Sequence, residues 1–350
     1  MTGVTERIIS ADSHVAMHPG QVKERLATRY HDAYDAAIDE HERRTGAARA
    51  QSNLGEHWFR DGHWDGAAHL ADMDLDGLSA EVVYCEVSAF RYLYRMSDGA
   101  VDATRAFNDT LADYASADPA RLIVSYQIPL HDVDDAIAEV QRVAALGGRS
   151  LQIPVFPVEL GVPDYHDERY EPLWAAVQET GLPLCFHIGL NAAFDDLATR
   201  DPTPQRALCV PLIAMSSGEA MGIWILGGVL ERFPGLRLVF VEPGLGWVAW
   251  WLDAIDDLVL RQGYDAPAIR DRPSDYFRRQ MHLTFMEEAR SVQQLREHIG
   301  VDNILWASDY PHPPTTWPHS RASLDRQLAG VADADRRKIV CDNAARVWGL

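Results

Sequence analysis

Ile304-Leu-Trp-Ala-Ser-Asp309-Tyr-Pro-His312 and, near the other end of the chain, Ile8-Ile-Ser-Ala-Asp12-Ser-His14 decide how this sequence is read. Each is an apolar run of strand length that stops on a carboxylate and a histidine, with turn chemistry close behind. If both are strands of one barrel, Asp12, His14, Asp309 and His312 meet at one mouth although nearly the whole chain separates them. Such a meeting has the geometry of a metal site.

Working outward, strand-like and helix-like segments alternate without repeats or low-complexity tracts. The strand candidates are Arg7 to Asp12, Ala80 to Cys85, Leu122 to Ile128, Ser150 to Ile153, Leu184 to His187, Leu238 to Glu242, His282 to Phe285 and Ile304 to Ser308, each short and rich in branched or aromatic residues. Between them lie helical patterns. Asp132 to Ala145 opens on an acidic N-cap and closes at Gly147-Gly148. Thr104 to Ala117, Glu171 to Thr180, Trp247 to Arg261, Ala289 to His298 and Asp335 to Val347 read the same way. Eight near-continuous apolar strands separated by helices predict a closed (β/α)8 TIM-like barrel, an α/β fold, as a single domain over 1–350. Two connections, 15–66 after strand 1 and 189–211 after strand 5, are too long for plain loops and are expected to be lids over the mouth. The first holds His57-Trp58-Phe59 and His63-Trp64.

Composition narrows the function. The 350 residues are 47% hydrophobic and 24% charged, an ordinary globular balance, and the formal net charge of −20 lacks the basic face that nucleic acid or an anionic membrane requires. The N-terminus has no apolar signal region, and the most apolar helix candidate, Met221 to Leu230, is about half the length a bilayer needs. Cys85, Cys185, Cys209 and Cys341 form no C-x-x-C pair, which fits reduced thiols in a cytoplasmic protein, with Cys185 as packing.

Four strands end on a metal ligand type: Asp12-x-His14, His187, Glu242 and Asp309. Residues i and i+2 of a strand face the same side, so Asp12 and His14 can serve one ion together. Mixed imidazole and carboxylate ligands suit Zn, Mn or Fe. One ion is expected, with two as the alternative.

Seven segments carry a family resemblance: Ile9-Ser-Ala-Asp12-Ser-His14-Val, Leu70-Ala-Asp-Met-Asp-Leu-Asp-Gly77, Phe107-Asn-Asp, Phe186-His187-Ile-Gly, Phe233-Pro-Gly-Leu-Arg-Leu-Val-Phe-Val-Glu242, Trp306-Ala-Ser-Asp309-Tyr-Pro-His312 and Asp342-Asn-Ala-Ala-Arg-Val-Trp-Gly349. In order and across the chain, they resemble the amidohydrolase-related metal-dependent hydrolases, in the branch with aminocarboxymuconate semialdehyde decarboxylase and the resorcylate-type decarboxylases. The resemblance implies a TIM-like barrel holding a divalent metal through strand 1, His187 and Asp309. Three departures stand out. Strand 1 reads Asp12-x-His14 where many relatives have His-x-His or Glu-x-Ala. Strand 6 ends in Glu242 where the semialdehyde decarboxylase branch places a catalytic histidine. Strand 4 ends Gln152-Ile153-Pro154, with no lysine to bridge two metals as a carbamate.

The leading expectation is hydrolysis of a small organic acid, ester, lactone or amide by metal-bound water, with Asp309 taking the proton and Glu242 or His312 returning it. Alternatives are non-oxidative decarboxylation or hydration at the same metal, O2-dependent oxygenation by two irons in a carboxylate-rich set, and a ligand-binding barrel without catalysis. The expected partner is a small molecule, aromatic or apolar and bearing a carboxylate. Trp58, Phe59, Trp64, Phe90, Tyr92 and Tyr94 form its pocket or pack the loops. Arg91 and Arg95 are surface residues or grip its carboxylate; His18 and His319 are structural. Trp247, Trp250 and Trp251 are expected on a buried helix face, and an exposed apolar helix around Ile223 to Leu230 leaves a homodimer open.

Overall fold

The computed structural model describes residues 6–50, 55–86, 90–188 and 205–350, with the side chains of 44–50, 205–207, 209 and 210 outside the described set. Eight parallel strands follow one another around the sheet in chain order, β1 to β8. They are Ile9–Val15, Ala80–Cys85, Leu122–Gln127, Ser150–Gln152, Leu184–His187, Leu238–Val241, Met281–Phe285 and Ile304–Trp306. All eight expected strands are present, and every strand residue is buried. The stretches read first also close the barrel. Ser13 bridges to Tyr310 in parallel, the Asp309 N–H donates to the Asp12 carbonyl at 3.1 Å, and the His14 N–H donates to the Tyr310 carbonyl at 2.6 Å. The chain is therefore a (β/α)8 barrel.

In order, the helices are α1 Pro19–Arg25, α2 His31–Ala50, α3 Gly66–Asp76, α4 Ala100–Ala115, α5 Val133–Ala145, α6 Glu171–Thr180, α7 Gln205–Leu226, α8 Val229–Arg232, α9 Val248–Leu260, α10 Pro273–Gln280, α11 Ala289–Ile299, α12 Ser320–Gln327, α13 Asp333–Arg337 and α14 Asn343–Trp348. Local chemistry sets several ends. The Asp132 carboxylate accepts from the N–H groups of Asp134 and Asp135 at 2.9 and 3.2 Å, starting α5 where its acidic cap predicts. Helix α4 begins four residues before the expected Thr104, because Gly99, at φ 73°, caps it and the Thr104 hydroxyl bonds back to the Ala100 carbonyl. The helix expected over Asp335 to Val347 is interrupted by a π-helical turn, Lys338–Asp342.

The 15–66 connection contains α1, α2 and three 3-10 turns, Thr28–Tyr30, His57–Phe59 and Asp61–His63, so most of its described part is helix, with α1 against α4 and α2 against the turn Arg91–Arg95. Of the 189–211 connection, 189–204 lies outside the described residues and 205–211 is the start of α7. The apolar run around Ile223 to Leu230 is not a free face: Trp224, Ile225, Val229 and Leu230 are fully buried, with the Trp224 ring 5.0 Å from Tyr165 and 5.5 Å from Phe186. The homodimer expectation loses its basis. Trp250 is 68% exposed rather than buried, although Trp247 and Trp251 do pack against the core.

Inside the barrel, Ser125 meets Ser150 at 2.9 Å and Gln127 donates to Gln152 at 2.8 Å, so the end of β4 carries an amide pair. Cys185 is buried beside Ser150, and Cys85, Cys185 and Cys341 are free thiols. No helix among the described residues is long and apolar enough to cross a membrane.

Candidate metal centre

Strand β1 runs through its two candidates instead of ending on the first. Its register slips between Ser10 and Ser13, a bulge, and both Asp12 and His14 are fully buried. Strand β6 stops at a left-handed residue, Glu242 at φ 61°, and Asp309, three residues past β8, holds φ 56°. They are the only non-glycine residues of positive φ among those described. Strain of that kind collects at functional sites.

The expected residues converge. Asp12 Oδ1 lies 3.6 Å from His14 Nε2 and 3.5 Å from His187 Nε2, and His14 Nε2 lies 3.2 Å from Asp309 Oδ1. Glu242 Oε2 is 3.6 Å from His187 Nε2. His312 Nδ1 sits 2.8 Å from Asp309 Oδ1. Two donors each about 2.1 Å from one ion are roughly 3.0–3.4 Å apart; Asp12, His14 and His187 present donor atoms close to that spacing and could hold one ion together, and Asp309 adjoins the group through His14. Their hydrogen bonding agrees. Both Asp12 carboxylate oxygens, both His14 nitrogens, His187 Nε2 and Asp309 Oδ2 are buried without a hydrogen-bond partner among the described residues. Leaving so many strong polar atoms unpaired costs several kcal/mol (about 1–3 each), which a bound cation would relieve. The opposite nitrogen of His187 faces the Ile188 carbonyl at 2.7 Å, so Nδ1 carries the hydrogen and Nε2 offers its lone pair to the mouth.

Charge crowding shapes the titration. Burial opposes charge on His187, but the Asp12 and Glu242 carboxylates lift its pKa to about 9. Burial and then His312 push His14 down. Burial, reinforced by Asp309, raises Glu242 well above the usual carboxylate range, whereas for Asp309 burial is outweighed by His312 and His14, which hold it low. Burial likewise opposes charge on His312, yet Asp309 and Glu86 drive it well above the usual imidazole value.

Two residues at the mouth escaped the sequence reading as donors. Glu86 Oε1 lies 2.8 Å from His63 Nε2, and Glu86 Oε2 lies 3.4 Å from His312 Nε2. The signal for Glu86 was available, since it stands one residue past β2 as Glu242 does past β6. His63 had none, because it arrives on an irregular turn. Trp58, from the same excursion, stacks over His312 with ring centroids 5.6 Å apart. Tyr92 and Tyr94 turn out to pack, through hydrogen bonds to the Tyr34 hydroxyl at 3.0 Å and the Ile128 carbonyl at 3.1 Å. Arg91 and Arg95 are half-buried rather than surface residues. His18 stacks on Trp64, and His319 stands at the N-terminus of α12.

A parallel barrel with buried imidazoles and carboxylates gathered at the C-terminal mouth defines a metal-dependent hydrolase or lyase. Residues 11–350 match the family described as Amidohydrolase, and the chain belongs to it. It is 28% identical over 271 residues to a gamma-resorcylate decarboxylase from Rhizobium sp., covering 72% of this chain and 77% of that protein. Solved structures share the fold. An amidohydrolase from Mycobacterium avium subsp. paratuberculosis superposes with a TM-score of 0.79 at 19% identity, covering 99% of each chain. A dihydroxybenzoic acid decarboxylase from Polaromonas sp., with bound manganese and 2-nitroresorcinol, gives 0.72 at 19% identity, covering 99% of this chain and 98% of that one.

Proposed function

We propose that this chain is a metal-dependent lyase that removes a carboxyl group, without an oxidant, from a small aromatic acid. Its relatives favour this alternative over the hydrolysis that the residues alone suggested. The observation that carries it is the buried, unpartnered set Asp12, His14, His187 and Asp309. We assign these four as ligands of one divalent ion, manganese being the ion in a structure of the same fold. When bound, the ion supplies positive charge that holds a substrate carboxylate and a neighbouring oxygen. The carbon–carbon bond then breaks, its electron pair stays on the ring carbon, and CO2 leaves. A proton must reach that carbon. Glu242 is placed beside His187 to deliver it, taking the position of the histidine acid in the semialdehyde decarboxylase branch; Asp309 is the other acid within reach. The His312 ring, bonded to Asp309 and covered by Trp58, orients that carboxylate and shields it from water. We also place the protein in the cytoplasm, as a single domain over 1–350.

The test is CO2 release from ortho-hydroxybenzoates, 2,6-dihydroxybenzoate among them, by the manganese-loaded protein. Turnover should fall at least about 100-fold in Glu242→Gln with manganese content unchanged. Cleavage of esters or lactones with no CO2 from any acid would return the assignment to hydrolysis. A second reading, oxygenation by an iron pair, is favoured by one specific observation: the further donors Glu86 and His312, grouped with His14 beside a first set already rich in carboxylate.

A further inference from the structure

We infer that Gln152, at the end of β4, selects the acid that this mouth accepts: its side-chain N–H group donates to a ring oxygen other than those the metal holds. This deepens the decarboxylase reading and rests on it for the metal-held end of the ligand. The orientation of one amide comes first. Gln127 Nε2 donates to Gln152 Oε1 at 2.8 Å and to Cys85 Sγ at 3.2 Å, and the Cys85 thiol lies 3.8 Å from the same Gln152 oxygen. Asn108 holds Gln127 in place, accepting from its backbone N–H and donating to its carbonyl, both at 2.8 Å. With these donors on its oxygen, Gln152 must turn Nε2 the other way. That nitrogen is buried and has no hydrogen-bond partner among the described residues. An amide nitrogen offers hydrogens and accepts nothing, so only an acceptor satisfies it.

Its place in the barrel sets Gln152 at the mouth. Two residues back along the same strands, Ser125 meets Ser150 at 2.9 Å, Ser150 meets Cys185 at 3.3 Å, and Trp348 Nε1 donates to Ser150 at 3.1 Å. That layer is closed by its own bonds, and Gln127 with Gln152 forms the next one toward the C-terminal ends. Cys85 joins this pair to the candidate ligands. Its neighbours in sequence are Tyr84, whose ring lies 5.5 Å from that of His187, and Glu86, whose Oε1 lies 3.9 Å from His14 Nδ1. The ends of β3 and β4 are therefore neutral and offer one unsatisfied donor beside strands that carry carboxylates and imidazoles. A ring with only hydrogen at that point leaves the amide unpaired, whereas a ring oxygen pairs it, and the second ligand is favoured by that difference.

The experiment measures dissociation constants by calorimetry on the manganese-loaded full chain, for 2-nitrophenol and for the isomers that add one hydroxyl to its ring, 2-nitroresorcinol among them. Wild type, Gln152→Met and Gln152→Glu are compared, with thermal midpoints to verify folding. Methionine keeps the length and removes the amide; glutamate keeps the oxygen that faces Gln127 and replaces the donor by an acceptor. The ligands carry no carboxyl group, so the result does not depend on turnover. In wild type at least one added hydroxyl should tighten binding about tenfold or more, and that gain should vanish in both variants while 2-nitrophenol binds within about threefold of wild type. No gain in wild type for any isomer, no binding of any ligand, or a gain that survives in Gln152→Met overturns the inference; should that variant fail to fold, Gln152→Glu decides in its place. If no acid releases CO2 while the hydroxyl gain still depends on Gln152, the decarboxylation falls and the role of Gln152 stands.

Discussion

At the scale of single residues, Glu242 and Asp309 hold left-handed backbones that cost about 1–2 kcal/mol each relative to glycine. The surroundings enforce them: the Glu242 N–H donates to the Thr284 hydroxyl at 2.7 Å, and that of Asp309 to the Asp12 carbonyl. Replacing Glu242 by glycine removes both the strain and one of four crowded carboxylates. We expect Glu242→Gly to be about 1 kcal/mol more stable than wild type in urea titrations of the metal-free proteins, while turnover is lost. A less stable variant would show that the conformation there is unstrained. A second residue tests burial far from the mouth. His282 on β7 is buried, and burial, then Arg346, depresses its pKa to about 4. The folded state therefore keeps it neutral while the unfolded chain takes up a proton below about pH 6.5. Its contribution to stability is full above that pH and declines as pH falls toward 4, by about 3 kcal/mol in all. His282→Gln should flatten this part of the pH–stability curve, and identical curves for the two proteins would refute the assignment.

At the scale of elements, the turn segment 57–64 delivers Trp58 and His63 to the mouth, and a partly buried polar network fixes its path. Arg60 pairs with Asp72 on α3 and lies over the Trp317 ring, 4.3 Å from its centroid. The Tyr310 hydroxyl donates to the same Asp72, so the residue after Asp309 is tied to the turn that carries His63. Gly62 sits where these meet, and a Cβ there would come within 2.5 Å of the Tyr310 hydroxyl oxygen and 3.0 Å of His69 Cα. Gly62→Ala should cost about 1–3 kcal/mol by overpacking, and should leave manganese held by the Asp12, His14 and His187 side chains. Thermal midpoints and metal counts on the same samples check both halves. By contrast, Asp132→Ala, which removes the α5 cap, should cost about 1 kcal/mol and leave metal content unchanged.

At the scale of the whole molecule, the seam between β1 and β8 joins the barrel to its site. Ser308 Oγ donates to Glu81 Oε1 at 3.0 Å, Glu81 Oε2 pairs with His69 at 2.5 Å, and Ser10 bonds both Ser308 and the Asp12 carbonyl. Closure of the sheet thereby sets the spacing of Asp12 and Asp309, and a cation bound between them, as proposed, would cross-link the first and last strands. Ligand held at about 100 times its dissociation constant adds about 2.7 kcal/mol to stability. Chelation should accordingly lower the thermal midpoint of wild type but not of His187→Ala. An equal shift in both would place the stabilising ion elsewhere.

The sequence by itself determined the eight strands, the order of the barrel and six residues that gather at its mouth, Asp12, His14, His187, Glu242, Asp309 and His312. Those features are local: a strand of branched residues ends where its apolar run ends, and a barrel presents what stands at those ends to one mouth. Only the tertiary structure decided that Glu86 and His63 join them, that Trp250 faces outward, and that the apolar face of α7 is covered by Tyr165 and Phe186. Each of these depends on which surfaces meet once the sheet has closed. An irregular turn such as 57–64 has no periodicity to announce its direction, and apolar spacing along a helix states that a face exists without stating what lies against it.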